Sequence, residues 1–338
     1  NKMKITDFKK LKKTFIVAEI GNNHEGDIKL AKKLIYLAAK AGADAVKFQT
    51  FKTDFFIKKN EKKRFKRLKK FEFSHKDFLS LKRTAQKNKI LFMSTALDFE
   101  SANFLKKNTK IIKIASSDNN FFPLIKNLLL SKKFLIISTG MIDMKNLKEI
   151  INFVYKFVGK NVAHKKVAFL HCVSNYPVEP QYANLNSIRY LLQETDFCIG
   201  YSDHTIGVEA CLASVALGAK IIEKHFTIDK KFSNFRDHSI SSDFSELKNI
   251  ILSIRKLEKL LGEKGKFIQK IEKKILKSTR RASYSSKKIE AGELITINNT
   301  KFLRSSGVKN FLSLKDIIGK KARNRIKVNQ IIKKENLY

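Results

Sequence analysis

Short apolar runs alternate with amphipathic segments between residues 15 and 261, and this alternation limits the fold more than any other feature of the chain. Eight runs have the length and composition of buried strands: Phe15–Ile20, Ala45–Gln49, Ile90–Ser94, Ile111–Ala115, Phe134–Ser138, Val167–Cys172, Phe197–Tyr201 and Lys220–His225. The intervening segments repeat apolar residues at helical spacing: Ile28–Ala41, Lys76–Lys87, Phe99–Lys107, Pro123–Leu130, Met144–Phe157, Leu185–Gln193, Val208–Ala216 and Phe244–Leu261. Eight such units in about 250 residues predict an α/β fold, the (β/α)8 TIM barrel.

A doubly wound open sheet is the alternative fold. The evenness of the eight units and the lack of a G-x-G-x-x-G motif after the first strand favour the closed barrel. Beyond Leu261 the sequence becomes rich in charge and then shows short β-like pieces with turn signals such as Ala291-Gly292-Glu293. We therefore predict a barrel domain over residues 1–262, a linker over 263–280 and a small β-rich domain over 281–338. A domain of that size is marginal by itself and should pack on another surface.

The charge balance raises the question of nucleic-acid binding. The chain has 70 Lys and Arg against 31 Asp and Glu, but only 11 of the basic residues are Arg. Arginine is the side chain that reads phosphates and bases with two hydrogen bonds, so its scarcity argues against specific recognition. The densest basic cluster, residues 58–70 (KKNEKKRFKRLKK), is interpreted as a solvated surface. The sequence thus predicts no specific nucleic-acid partner.

The compartment is predicted from what the sequence lacks. No run approaches 18 uncharged apolar residues, so no transmembrane helix and no membrane association are expected. The first residues do not resemble a secretory signal, and the cysteines Cys172, Cys198 and Cys211 do not have metal-binding spacing. Unpaired cysteines in apolar runs are typical of a reducing compartment, which predicts a cytoplasmic protein.

Polar side chains stand at or just beyond the carboxyl end of every predicted strand. In a barrel these ends converge on the face where active sites of this fold are built. The residues are Glu19, Lys47, Gln49, Thr95, Ser116, Asp118, Ser138, Thr139, residues 171–176 with Ser174 and Tyr176, Ser202, Asp203, His204, Lys224 and His225. One polar strand end would be a weak signal, but eight together predict an enzyme.

Two histidines end neighbouring strands. His204 follows the seventh strand and His225 ends the eighth, and adjacent strands lie about 4.8 Å apart. Two imidazoles at that separation can share one divalent metal and leave positions open for substrate oxygens. Two hydrogen-bonded histidines at the rim are the alternative. The spacing does not distinguish Mn, Mg, Fe and Zn.

Lys47 lies within an apolar strand, where a lysine either forms a Schiff base or pairs with an anion. The nearby hydroxyls of Thr95, Ser116, Ser138 and Ser202 favour a phosphate or carboxylate pocket over a Schiff base. Carboxylates suited to proton transfer or to sugar hydroxyls are Glu19, Asp118 and Asp237. The residues alone indicate a metal-assisted barrel enzyme with a small, anionic, oxygen-rich substrate.

Seven motifs resemble those of the sialic acid synthase family in order and spacing over nearly the whole chain. They are Ile16-Val-Ala-Glu-Ile-Gly-Asn-Asn-His-Glu-Gly26, Val46-Lys-Phe-Gln49, Lys113-Ile-Ala-Ser-Ser117, Ser138-Thr-Gly-Met141, His171-Cys-Val-Ser-Asn-Tyr-Pro177, Gly200-Tyr-Ser-Asp-His-Thr205 and Glu223-Lys-His-Phe-Thr227. The tail from Arg281 resembles the antifreeze-like (SAF) domain, a β-clip, that ends those enzymes.

The resemblance implies condensation of phosphoenolpyruvate with an N-acetylmannosamine-type sugar to give a nine-carbon 2-keto acid and phosphate. It implies a divalent metal, usually Mn²⁺ with Mg²⁺ as the alternative, held by His204 and His225. The residues implied to bind phosphoenolpyruvate are Lys47, Thr95, Ser116, Ser138, Ser174 and Ser202. Those implied to address the sugar are Glu19, Gln49, Tyr176 and Asp237, and Asp118 stands where the family often has a proton-transferring Glu.

Three positions depart from the family pattern. Asp118 is one methylene shorter than the usual Glu, Ser174 replaces a common Asn, and Arg304-Ser-Ser-Gly307 replaces Arg-Pro-x-Gly. The resemblance also implies a domain-swapped homodimer in which Arg304 reaches the partner's site. Arg236 and His238 are candidates for sugar specificity.

The identity of the sugar stays open at this stage. It is either N-acetylmannosamine or a 2,4-diacetamido-trideoxy hexose, so the product is sialic, legionaminic or pseudaminic acid. Another phosphoenolpyruvate–aldose synthase and an inactive carbohydrate-binding barrel are more remote alternatives.

Overall fold

The computed structural model describes residues 5–304, 312 and 314–338 of the chain. The chain divides into two compact units, Asn1–Gly262 and Glu263–Tyr338. Turn signals and family motif positions at residues 305–307 lie outside the described residues. No helix in the described ranges is long and apolar enough to cross a membrane.

Eight parallel strands of the first unit close into a barrel in chain order. The strands are β1 Phe15–Gly21, β2 Ala45–Thr50, β3 Leu91–Ala96, β4 Ile111–Ile114, β5 Phe134–Ser138, β6 Val167–Cys172, β7 Cys198–Asp203 and β8 Ile221–His225. Pairing of β1 with β8 completes the closure, so no strand edge is left open. The predicted (β/α)8 barrel is confirmed, with strand bounds displaced by one or two residues.

Side chains alternate between the two faces of each strand, and this alternation separates two cores. Outward residues such as Ile16, Ala18 and Val46 pack beneath the surrounding helices. Inward residues such as Phe15, Val17 and Met93 fill the lower barrel, where Phe8 of the N-terminal segment joins them. The barrel is therefore a packed core at its base, and only its upper end can hold a ligand.

Helices surround the barrel. They are α1 Ile28–Ala41, α2 Thr53–Phe56, α3 Lys62–Phe71, α4 His75–Lys87, α5 Phe99–Asn108, α6 Phe122–Leu129, α7 Met144–Lys166, α8 Asn186–Glu194, α9 Glu209–Ala216, α10 Arg236–Ile240 and α11 Phe244–Leu261. Local sequence sets several of their ends. The Asp27 side chain caps α1 at its first amides, and Gly42 closes the helix in the left-handed region at φ 99°. Asp243 and Glu246 form a capping box at the start of α11.

The second unit is small and rich in turns. Its elements are α12 Glu272–Thr279, β9 Arg281–Ser285, β10 Thr300–Arg304 and α13 Leu314–Ile317. Strands β9 and β10 pair antiparallel, with Arg304 opposite Arg281. A separate apolar cluster that includes Ile289, Ile326 and Ile332 forms its core. The segment predicted as a linker contains α12. The predicted small β-sheet is present in this unit, and its assignment as an SAF domain stays a prediction.

Candidate active site

A cavity of about 670 Å³ opens at the carboxyl ends of the barrel strands. Twelve of the fourteen sequence-predicted site residues line it: Glu19, Lys47, Gln49, Thr95, Ser116, Ser138, Ser174, Tyr176, Ser202, His204, His225 and Asp237. A volume of this size suits small-molecule ligands. Strand alternation explains why these residues meet. The side chains that point into the barrel are apolar at its base and polar at the carboxyl ends of the strands.

Four buried charged side chains form the floor of the cavity. Lys47 Nζ lies 3.1 Å from Glu19 Oε2 and 3.4 Å from Glu223 Oε2. Lys113 Nζ lies 3.5 Å from Glu223 Oε1. Strand register makes Glu19 on β1 the Cα partner of Lys47 on β2 and of His225 on β8. Two ammonium groups held by two carboxylates leave no charge of the floor without an opposite charge beside it.

Burial and neighbouring charges shift the pKa values of the four floor groups in different directions. Burial, reinforced by the charge of Glu223, raises the pKa of Glu19 against the opposing effect of Lys47. The ammonium groups of Lys113 and Lys47 outweigh burial at Glu223 and lower the pKa of that carboxyl. Burial lowers the pKa of Lys113, whereas the two carboxylates overcome burial at Lys47 and raise its pKa. Glu19 is therefore the floor carboxyl best suited to carry a transferable proton.

Hydroxyl groups surround the two lysines. Lys47 donates a hydrogen bond to Thr95 Oγ1 at 3.2 Å, and Lys113 donates to Ser138 Oγ at 2.5 Å. Ser202 Oγ donates to Glu223 Oε1 at 2.9 Å. Ammonium and hydroxyl donors grouped in this way are suited to phosphate or carboxylate oxygens. The anion pocket predicted from the sequence stays a prediction.

A glycine lets two further hydroxyls reach this pocket. The Gly140 amide donates to Ser116 Oγ at 3.1 Å. A Cβ at Gly140 would lie 2.4 Å from Ser174 Oγ and 2.6 Å from Ser116 Oγ, so any side chain there would displace both. Glycine is thus required by close approach at this position.

The two histidines face each other at the rim, with ring centroids 5.4 Å apart. His204 Nδ1 hydrogen-bonds the Val173 carbonyl at 2.8 Å, which places the proton on Nδ1 and leaves Nε2 as a lone-pair donor. The buried Nδ1 of His225 has no hydrogen-bond partner. Burial lowers the pKa of His225 well below its usual value, which keeps the ring neutral.

These histidines fit a divalent cation that takes two protein nitrogens. Both rings have a nitrogen without a protein partner, and a neutral imidazole is the form that binds metal. No group of three or more His, Cys, Asp or Glu side chains with metal-binding geometry occurs in the described part of the chain. The remaining coordination positions would therefore be filled by water or substrate oxygens, as in a catalytic rather than a structural site.

A short segment from the loop after β8 forms the upper wall. Asp237 is buried there on α10, and Arg236 lies 3.3 Å from its Oδ1. The Arg236 guanidinium stacks over the Tyr176 ring at 4.7 Å from the centroid. Tyr176 in turn packs on His204, with ring centroids 4.2 Å apart. Specificity candidate His238 is fully buried and hydrogen-bonds Thr227 and Glu25, so it anchors the segment instead of contacting the cavity.

Two predicted site residues lie outside the cavity wall. Asp118 belongs to the turn after β4, and its carboxylate accepts a hydrogen bond from Ser117 at 2.8 Å. Arg304 is an exposed residue at the end of β10 in the second unit. Their predicted roles stay predictions.

Four charged residues of the cavity were not among the site residues predicted from the sequence: Lys113, Glu223, Arg64 and Arg67. Strand alternation could have identified Lys113 and Glu223. Each lies two positions after an apolar residue that points into the barrel, Ile111 or Ile221, and so shares its inward face. The arginines belong to the cluster at 58–70. That cluster was interpreted as solvated surface, yet these two side chains line the cavity because α3 lies beside its mouth.

Comparison with known proteins gives consistent matches over most of the chain. A model described as NeuB family matches residues 34–266. The N,N'-diacetyllegionaminic acid synthase of Campylobacter jejuni is 36% identical over 337 residues, covering 96% of this chain and 100% of that protein. The pseudaminic acid synthase of the same species is 35% identical over 350 residues, covering 98% of each.

A solved structure shows the same likeness. The N-acetylneuraminic acid (sialic acid) synthetase of Leptospira borgpetersenii superimposes with a TM-score of 0.72 at 36% identity. The match covers 78% of this chain and 90% of that one.

Proposed function

The chain belongs to the NeuB family, and from that membership we propose that it condenses phosphoenolpyruvate with an acetamido sugar. The product is a nine-carbon 2-keto acid of the sialic acid type, released with inorganic phosphate. The observation that carries the proposal is the floor, where Lys47 and Lys113 are buried among hydroxyls and two carboxylates below a pair of histidines. Similarity to synthases of three related nonulosonic acids supports the same reaction class.

The floor lysines bind the anionic groups of phosphoenolpyruvate. Lys47 and Lys113 exchange their contacts with Thr95 and Ser138 for substrate oxygens, and the Glu223 carboxylate, which lies beside both ammonium groups, keeps them oriented. Buried cations in a water-poor pocket stabilise the departing phosphate more strongly than cations in solvent.

Glu19 transfers the proton. Its raised pKa holds a proton beside the pocket, and its position next to His225 on the adjacent strand puts that proton near the sugar aldehyde. The carbon–carbon bond forms as the enol carbon of phosphoenolpyruvate attacks the aldehyde carbon, and Glu19 protonates the aldehyde oxygen. Water then adds to the former enol C2 and phosphate leaves. This assignment favours Glu19 over Asp118, whose side chain lies outside the cavity wall.

We further propose a divalent cation, Mn²⁺ or Mg²⁺, on His204 and His225. When bound it would supply Lewis-acid polarisation of the aldehyde. The orphaned His225 Nδ1 and the free Nε2 of His204 support this proposal. A homodimer in which Arg304 completes the partner's site is proposed from the family resemblance, and sedimentation of wild type and Arg304→Ala with paired activity assays tests it.

The sugar is N-acetylmannosamine or a 2,4-diacetamido-trideoxy hexose. The latter is favoured by one observation, the near full-length match to an N,N'-diacetyllegionaminic acid synthase. Where N-acetylmannosamine carries hydroxyl groups, the 2,4-diacetamido-trideoxy hexose carries an acetamido group at one position and a methyl group at another. A single wall residue can decide between such groups.

A mass-detected assay with phosphoenolpyruvate, Mn²⁺ and a panel of acetamido sugars tests the proposal. We expect one sugar to give a nine-carbon acid together with one phosphate per product, and chelator to stop turnover until Mn²⁺ is restored. Lys47→Met serves as the inactive control, because it removes one of the two floor cations and keeps a side chain of similar length. Absence of product and phosphate with every sugar, from a folded enzyme, would contradict the proposal.

A further inference from the structure

Helix α3 turns its two arginines, and none of its lysines, to the mouth of the cavity. The helix sequence is KKRFKRLKKF, with five Lys and two Arg. Arg64 and Arg67 line the cavity, whereas the five lysines do not. Residues three apart share one helix face, so both guanidinium groups lie on the side that Leu68 and Phe71 bury. In a chain with 11 Arg among 70 basic residues, the choice of Arg at these positions is not explained by charge alone.

Arg67 is supported by an aromatic ring from the opposite wall. The Arg67 guanidinium lies 5.7 Å from the centroid of the Phe235 ring, and Phe71 packs edge-on against the same ring at 5.3 Å. Next along the chain, Arg236 stacks on Tyr176 and also lines the cavity. The loops after β2 and β8 thus meet through Phe235, with a guanidinium on each side of that contact.

The charge at the mouth is less compensated than the charge at the floor. The floor lysines have two buried carboxylates, but Arg67 has no ion-pairing carboxylate in the described ranges 5–304, 312 and 314–338. Arg64 forms an ion pair with the exposed Glu61 at 3.5 Å, an i,i+3 pair of the kind that contributes little. Arg67 is thus held on a ring without a carboxylate partner among the described residues, whereas Arg236 is held on Tyr176 and uses its Nε for Asp237. A guanidinium with free donors is suited to bind phosphate oxygens in a bidentate manner.

We infer that Arg64, Arg67 and Arg236 form a second oxyanion subsite at the mouth, distinct from the lysine floor, for a phosphate monoester group. This inference rests on the proposed function for the identity of the ligands. The monoester has two sources: phosphoenolpyruvate on its way to the floor, or a phosphate carried by the acetamido sugar. The ligand chemistry is shared, and the experiment separates the sources.

The test is calorimetric binding to the full chain, which needs no turnover. The probes are phosphoenolpyruvate, N-acetylmannosamine 6-phosphate and unphosphorylated N-acetylmannosamine. The variant is Arg64→Gln with Arg67→Gln, and the matched control is Lys63→Gln with Lys66→Gln, which removes the same charge from the same helix outside the cavity.

We expect the arginine variant to lose about tenfold in affinity for one phosphorylated probe, the size of one charge-assisted hydrogen bond, and to bind N-acetylmannosamine unchanged. Loss for phosphoenolpyruvate alone identifies the incoming substrate as the ligand, and loss for the sugar phosphate alone identifies the co-substrate. Equal losses in the lysine control, or no loss for either phosphorylated probe, would overturn the subsite. A loss of binding in an enzyme that makes no product would keep the subsite and refute the proposed function.

Discussion

Replacing Glu223 by Gln should lower the free energy of unfolding, and bound phosphoenolpyruvate should restore part of the lost stability. The carboxylate lies between the ammonium groups of Lys47 and Lys113, at 3.4 and 3.5 Å, and accepts a hydrogen bond from Ser202. Glutamine has the same shape and keeps an oxygen for Ser202. The substitution therefore isolates the charge, and it leaves Glu19 as the remaining carboxylate of the floor.

The magnitude follows from the floor geometry. Breaking a buried ion pair by removing one partner typically costs about 3–5 kcal/mol. Here Lys113, whose pKa burial already lowers, can release its proton and limit the loss. We expect a decrease of about 2–3 kcal/mol in the free energy of unfolding, which corresponds to a fall of about 4–12 °C in Tm for a domain of this size. Because the excess charge is positive, phosphoenolpyruvate should restore more stability to the variant than to wild type.

Thermal unfolding followed by circular dichroism is the suitable assay, since the chain has no tryptophan for intrinsic fluorescence. Wild type, Glu223→Gln and the exposed control Glu149→Gln are compared with and without phosphoenolpyruvate. The control removes the same charge from the surface of α7 and should change Tm by little. A Glu223→Gln protein as stable as wild type, or one that gains less from phosphoenolpyruvate than wild type does, would refute the charge argument.

Three further substitutions test other groups. His225→Ala should abolish turnover and leave the far-ultraviolet circular dichroism spectrum unchanged; full activity would contradict the metal proposal. Glu19→Gln should lower kcat about 100-fold or more. In wild type, activity should fall as the pH rises through the raised pKa of Glu19, and the variant should lack this decline. A variant that keeps the same decline would exclude Glu19 as the acid. Burial lowers the pKa of His24 to about 3. Below pH about 6.5 the unfolded chain therefore binds a proton at His24 that the native protein does not bind, and the free energy of unfolding falls as the pH drops. His24→Asn should flatten that slope in urea titrations from pH 7 to pH 4, and an identical slope would refute the assignment.

Much of the fold could be predicted because two periodicities in the sequence carry it. The alternation of strand and helix patterns fixed the number of units, and local signals such as Asp27 and Gly42 set helix ends. The polar strand ends indicated the face on which the cavity opens, since parallel strands bring all carboxyl ends to one side. Twelve predicted side chains therefore met in one cavity without any knowledge of distances.

The sequence by itself thus determined the barrel, the face of the site and most of its polar residues, because each depends on spacing along one strand or helix. Only the tertiary structure decided which of these side chains contact one another. Glu223 became the link between Lys47 and Lys113 because closure of the barrel brings side chains of β2, β4 and β8 into one interior. Asp118 lies outside the cavity wall, and its carboxylate accepts a hydrogen bond from Ser117. The arginines of α3 reached the mouth because Phe71 packs on Phe235, a contact between residues far apart in the chain. Such contacts arise only when separate elements pack, so no local pattern records them.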